Sequence, residues 1–214
     1  MNLQLPLDGI GTTPGIYLTQ FFGGNEAVYS QFGLKGHNGL DWGCPRGTPV
    51  LAVHDGEIQF LIENTNYGTG YGKNVRLYFE EDGFVYDCVY GHLDRYEGEP
   101  RKVQQGEIIG YTDNTGFSTG DHLHFGMRKL LNGVIVDYNN GYFGYFDPTP
   151  FFRKENMAKR FYIKDGEKIG AFVADGFALG GAFAKDSGAL ESLKSALEFK
   201  GDEPTLELPP VNNP

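Results

Sequence analysis

The stretch from Gly72 to His92, "GKNVRLYFEEDGFVYDCVYGH", alternates Val75, Leu77 and Phe79 with Arg76, Tyr78 and Glu80. Side chains along a strand point to opposite faces with a period of two. The alternation therefore predicts a hairpin turning at Asp82 and Gly83, with one apolar face toward a core. Shorter patterns of the same kind recur: "GIYLTQFFGGNEAVYSQFGLKG" reads as a strand and a loop, "TPVLAVHDGEIQFLIE" as two short strands joined at Asp55 and Gly56, and "QQGEIIGYTDNTGFSTG" as a strand and turn. Between them "NTNYGTGYGKN" has the composition of a mobile loop able to lie against a ligand, which makes it a candidate groove wall.

"FDPTPFF", around Pro148 and Pro150, closes this main unit. Beyond it the pattern changes. "RFYIKDGEKIGAFVADG" predicts a small hairpin, and "SGALESLKSALEFK" predicts a short amphipathic helix with Leu190, Leu193 and Leu197 on one face after a cap at Ser187. The last segment, "GDEPTLELPPVNNP", has four prolines and little to bury, and is expected to be disordered. The expected organisation is residues 1–31 as a strand and loop leading in, 32–152 as the main domain, 153–200 as a small appendage and 201–214 as a tail.

Composition supports an all-β reading. Glycine makes up 32 of 214 residues and aromatics 14 %, a mixture suited to strands joined by tight turns. A formal charge of -10 provides no basic surface for a nucleic-acid backbone or an anionic membrane. No apolar run is long enough to span a bilayer, and "MNLQLPLDGIG" lacks the basic and apolar regions of a signal peptide. Cys44 and Cys88 are too few for a disulfide framework or a thiolate zinc site, and a single bridge between them stays open.

Histidine is scarce, with five in the chain, yet "GDHLHFGMR" places two of them two positions apart. On a strand, His122 and His124 share one face while Leu123, Phe125 and Met127 face the core. Upstream, "GHNGLDWG" sets His37 and Asp41 four apart, again on one face of an extended segment, with Gly39 between them. Zn²⁺ takes such ligands tetrahedrally, and three protein ligands leave the fourth position for water. His37, Asp41 and one of the paired histidines would form that open site, with a charge of about +1 that acidifies the water. The other paired histidine is then free to act as a general base or as a donor to a developing oxyanion. His92 in "VYGHLDRY" ends a strand and is placed to converge on the same surface, whereas His54 reads as a turn residue and Cys44 as a small buried thiol.

Taken together, "GHNGLDWGCPRGTPVLAVHDGEI", "GYGKNVRLYF", "YGHLD" and "VQQGEIIGYTDNTGFSTGDHLHFGMR" resemble the M23 zinc metallopeptidases, the lysostaphin and LytM type endopeptidases of bacterial cell walls. The resemblance covers about residues 32–152. It implies that His37, Asp41 and His124 bind one Zn²⁺ per chain and that His122 and His92 act catalytically. It also implies antiparallel sheets with a substrate groove, and cleavage of peptide bonds in peptidoglycan stems or cross-bridges. Two positions depart from the family pattern. Where some members carry a catalytic tyrosine six residues before the first zinc histidine, this chain has Gln31, with Tyr29 or Tyr71 as substitutes. Where proline commonly precedes the paired histidines, it has Asp121, which is placed to orient an imidazole.

The expected function is thus a zinc endopeptidase acting on the cell wall from outside the cytoplasm. A phage-associated or unconventionally released lysin fits the absent signal peptide, with the segment after Phe152 docking it to a phage or envelope assembly. The alternative is a catalytically silent module of the same fold that binds or regulates wall hydrolases.

Overall fold

The computed structural model describes residues 1–10, 13–63 and 70–152, and the backbone of four strands beyond them. Twelve strands build the described body. They are β1 (Tyr17–Gln20), β2 (Leu40–Gly43), β3 (Pro49–Leu51), β4 (Gly56–Glu63), β5 (Gly72–Glu81), β6 (Phe84–Gly91), β7 (Leu93–Tyr96), β8 (Lys102–Val103), β9 (Ile108–Thr112), β10 (His122–Leu131), β11 (Val134–Ile135) and β12 (Tyr145–Phe146). Within the larger sheet the run β1-β2-β10-β6-β5-β4-β8 is antiparallel throughout, and the strand Phe177–Leu179 joins the outer side of β1 in parallel. A smaller antiparallel sheet runs β3-β9-β7, so the all-β expectation holds.

The predicted hairpin is β5 and β6, with Val75 opposite Tyr90 and Leu77 opposite Cys88, all four fully buried. Trp42, Leu123, Phe125 and Met127 extend the same core from β2 and β10. Burying a side chain of this size contributes roughly 1.5–3 kcal/mol. The small sheet is tied on where the Val53 amide donates to the Tyr90 hydroxyl at 2.9 Å. Leu3, Leu7, Ile16 and Leu18 from the first residues join this core as well. Cys44 and Cys88 are both buried free thiols, which closes the question of a bridge between them.

Three local expectations differ from what forms. The strands flanking Asp55 and Gly56 do not pair with each other: β3 joins β9, and β4 joins β5. The loop after β1 contains a helical turn, Glu26–Tyr29, continued by a tighter turn over Ser30–Phe32. "NEAVYSQF" has no period-two pattern to compete with it, and Asn25 enters with φ of 54°, a left-handed value that asparagine tolerates. Arg76, patterned to face water, is 5 % exposed. The second face of the central strands is covered too, and there Arg76 donates to the Tyr145 hydroxyl at 2.9 Å and pairs with Glu63 at 3.1 Å and Asp87 at 3.4 Å.

After residue 159, Arg160–Lys164 and Lys168–Ala174 pair antiparallel. The predicted helix at residues 187–200 and the tail at 201–214 lie outside the described residues.

A buried ion pair is most costly when one partner is removed. Arg76→Met should lower stability by about 3 kcal/mol, the low end for such a loss, because Arg128 still holds Asp87 at 2.8 Å. The shift of the urea midpoint at unchanged slope measures it.

Candidate metal centre and pocket

Strand pairing creates the centre. In the antiparallel register of β2 with β10, His124 lies directly opposite Asp41 and His122 opposite Gly43. Opposed residues in such a pair hold their Cβ atoms roughly 4.5–5.5 Å apart, within reach of one another's side chains. His124 Nδ1 lies 3.0 Å from Asp41 Oδ1. His37, in the extended segment entering β2, brings Nε2 to 3.1 Å from the same oxygen and 2.9 Å from His124 Nδ1. Three potential ligand atoms therefore form a triangle among side chains that are all buried. Gly39 makes this possible. A Cβ there would sit 2.5 Å from the Phe125 carbonyl oxygen and 2.6 Å from His124 Cε1, so any side chain would displace the imidazole.

The donor set suits a divalent cation. His37 Nδ1 faces the Phe21 carbonyl oxygen at 3.2 Å, and the tautomer assigned by that bond leaves a lone pair on Nε2. Burial opposes ionisation of Asp41, yet the neighbouring His37 and His124 rings hold its carboxyl well below the usual range. Two acceptors thus lie 3.1 Å apart with at most one shared proton, from His124, between them. A cation satisfies all three atoms at once, and two imidazoles with one carboxylate are a zinc ligand set. Burial, opposed by Asp41 and reinforced by His37 and His122, pushes His124 down to about 4, so its ring is neutral and competent as a ligand at pH 7.

The two remaining predicted residues converge on the same place. His122 is half-buried, with Nδ1 against the Gly120 carbonyl at 2.8 Å and the Ser118 hydroxyl at 3.0 Å, and with Nε2 3.7 Å from Asp41 Oδ2. Those backbone and hydroxyl contacts fill the orienting role expected of Asp121. His92 follows β6 with a left-handed φ of 63°, its Nδ1 bonded to the Thr115 carbonyl at 2.6 Å and its ring centre 4.6 Å from that of His122. Burial, then His122 and His124, depress it to about 3. His54 stands apart, stacked on Phe79.

A cavity of about 390 Å³ opens over all five residues, the three candidate ligands and the two nearby histidines. Gly70 and Tyr71, at the end of the predicted groove loop, form part of its wall. Tyr71 stacks on His124 at 4.9 Å, and its hydroxyl accepts a hydrogen bond from Asn38 at 2.7 Å. Behind it, the Arg76 guanidinium lies 5.4 Å from the Tyr71 ring centre, so the buried ion-pair cluster backs one wall of the centre. Tyr29 lies 5.2 Å from His37, whereas Gln31 bonds the Val28 carbonyl and is exposed. Sequence reasoning did not single out Asn38, Arg76, Tyr145 or the phenylalanines Phe32, Phe117 and Phe143. For the phenylalanines there was a signal, since each sits next to glycine in a turn where no core would need it.

Gly39→Ala should abolish tight zinc binding and lower stability with it, because the clash falls on the Phe125 carbonyl of β10 as well as on His124. Equilibrium dialysis against a zinc chelator and a thermal melt followed by near-UV circular dichroism read the two.

Residues 35–138 match the family model described as Peptidase family M23. The DD-carboxypeptidase/endopeptidase Mpg of Neisseria meningitidis is 37 % identical over 101 residues, 47 % of this chain and 21 % of its own length. The glycyl-glycine endopeptidase ALE-1 of Staphylococcus capitis is 41 % identical over 126 residues, 56 % of this chain and 31 % of its own. The chain thus spans between a fifth and a third of these curated relatives. Among solved structures, LytU is 33 % identical, with 65 % of this chain and 86 % of that one covered at a TM-score of 0.49. No described helix is long and apolar enough to cross a membrane. The matched span covers His37, Asp41, His92, His122 and His124, and residues 35–138 are a peptidase family M23 domain.

Proposed function

We propose that this chain is a zinc-dependent endopeptidase that hydrolyses peptide bonds in bacterial peptidoglycan stems or cross-bridges, acting at the cell wall. The observation that carries it is the buried His37–Asp41–His124 triangle at the base of a cavity that also holds two further imidazoles. The names of the relatives, endopeptidases of wall peptides among them, support the reaction class. Residues 32–152 are taken as the peptidase unit, with the first residues packed into its core. The comparisons give no support to a phage or envelope assembly docked through residues 153–214.

His37, Asp41 and His124 would hold one zinc ion. When bound, the ion supplies Lewis acidity that polarises the scissile carbonyl and lowers the pKa of water. His122 and His92 donate through Nδ1 to carbonyl oxygens, which leaves the Nε2 lone pair on each ring. Either ring would take a proton from water at Nε2 and return it to the departing amine, and donation to the oxyanion from a charged ring falls to His122, since burial keeps His92 neutral. Burial, with Asp41 next, pushes the Tyr29 phenol up, so it remains a protonated donor on the cavity wall.

Purified chain should cleave sacculi, lose activity to a chelator and regain it with zinc. His124→Ala should lose both zinc and cleavage. His122→Ala should keep its zinc and lose roughly 10²–10⁴-fold in turnover. Elemental analysis with release of new amino termini reads the two quantities separately. Full zinc occupancy without cleavage of any wall type would instead make the chain a silent module, and equal zinc loss in both variants would refute the assigned roles.

A further inference from the structure

We propose that the part of the cavity wall formed by Val28, Phe32, Phe117 and Phe143 is a subsite for an uncharged apolar side chain flanking the scissile bond. On this view the chain cuts internal bonds beside such residues in preference to glycyl-glycine bonds or bonds close to a free carboxylate. The proposal rests on the endopeptidase reading and adds what that site selects.

All four residues line the cavity, with Phe32 and Phe117 packed edge to face at 5.0 Å and Phe143 beside Gly33. They come from three separate turns, and none of them belongs to the buried core cluster. Partly buried aromatic rings from separate turns that converge on one cavity beside a candidate metal centre present apolar surface to a ligand, and Phe143 is steadied there by stacking on Tyr138 at 5.5 Å.

Phe143 adds an independent sign. Its φ of 55° puts a bulky side chain in the left-handed region, an outlier for such a residue. The turn is over-determined around it: Asn140 Oδ1 accepts from the Tyr142 amide at 2.7 Å and from the Gly144 amide at 3.2 Å. Backbone held in such a state by its surroundings concentrates at binding and catalytic sites.

Charge narrows the ligand further. Among the described residues lining the cavity, Asp41 carries the one formal charge apart from histidine, and no Lys or Arg is present. A carboxylate seated against this wall would be desolvated without a partner, which is strongly unfavourable. An apolar side chain there gains burial against three aromatic rings, and one methylene in such a pocket discriminates by roughly 10–200-fold.

The test uses the zinc-loaded full chain and acylated, amidated peptides of equal length. These place Gly-Gly, Ala or Leu on either side of the cleavable bond, and one further Ala peptide ends in a free carboxylate one residue beyond it. An apolar residue on one side should raise kcat/KM about tenfold or more over Gly-Gly, and the free carboxylate should lower it by a similar factor. Phe117→Ala and Phe143→Ala, verified by zinc stoichiometry and melting temperature, should each narrow the apolar-to-glycine ratio. Equal rates for glycine and apolar peptides overturn the subsite, as does a ratio unchanged in both variants. If only intact sacculi are cut, sequencing the released ends decides: ends between glycines alone overturn it. Failure to cut any peptide or any sacculus defeats the endopeptidase reading itself, a different outcome from cleavage without preference.

Discussion

The antiparallel register of β2 against β10 is the constraint on which the centre depends. It sets Asp41 opposite His124 on one face, and on the other it sets Trp42 opposite Leu123 and Leu40 opposite Phe125, all four fully buried. A slip of one residue would turn both sets over, placing the imidazoles in the core and four large apolar side chains outside it. At roughly 1.5–3 kcal/mol per side chain that is about 6–12 kcal/mol, comparable to the whole stability of an ordinary domain. The ligands are therefore positioned by the hydrophobic core, without relying on their own mutual attraction. This matters because two lone-pair acceptors 3.1 Å apart repel each other when nothing lies between them.

Backbone carbonyls then decide which nitrogen each ring presents. Phe21, Thr115 and Gly120 each face an Nδ1 atom, on His37, His92 and His122, and the Nε2 atom of each ring is left available. The left-handed backbone at His92 is part of the same arrangement, since its amide bonds the Tyr71 carbonyl at 2.7 Å while its carbonyl accepts from Asp113 at 3.0 Å. His124 is the exception. Its orientation comes from stacking on Tyr71 and from the space left by Gly39.

The chemistry was legible in the sequence because it is written in short spacings. His-x-His on a strand and His-x-x-x-Asp on an extended run each fix a shared face within a few residues, and the five residues drawn from these motifs and "YGHLD" do meet around one cavity. What the sequence concealed depends on contacts across the sheet. Arg76 follows the polar half of a clean alternation, and only the layer over the second face, including Tyr145, makes it a buried partner of Asp87. Likewise "HDG" looks like a hairpin turn, and it is the competing pairs β3–β9 and β4–β5 that send its two strands to different sheets. The family resemblance supplied the choice of His124 over His122 as ligand. His124 Nδ1 lies 3.0 Å from Asp41 Oδ1, and His122 Nε2 lies 3.7 Å from Asp41 Oδ2.

The cavity joins two kinds of construction. Its polar part is built on β2, on β10 and on the residue that follows β6, where ladder bonds and core packing leave little freedom. Its phenylalanines stand on turns, at residues 28–34, 116–119 and 141–144, outside the ladder of the central strands. A change in a turn alters what fits beside the bond, while a change in a strand alters the centre itself. On the proposed function, reaction and selectivity would be carried by different parts of the chain, the histidines on and beside strands and the phenylalanines on turns.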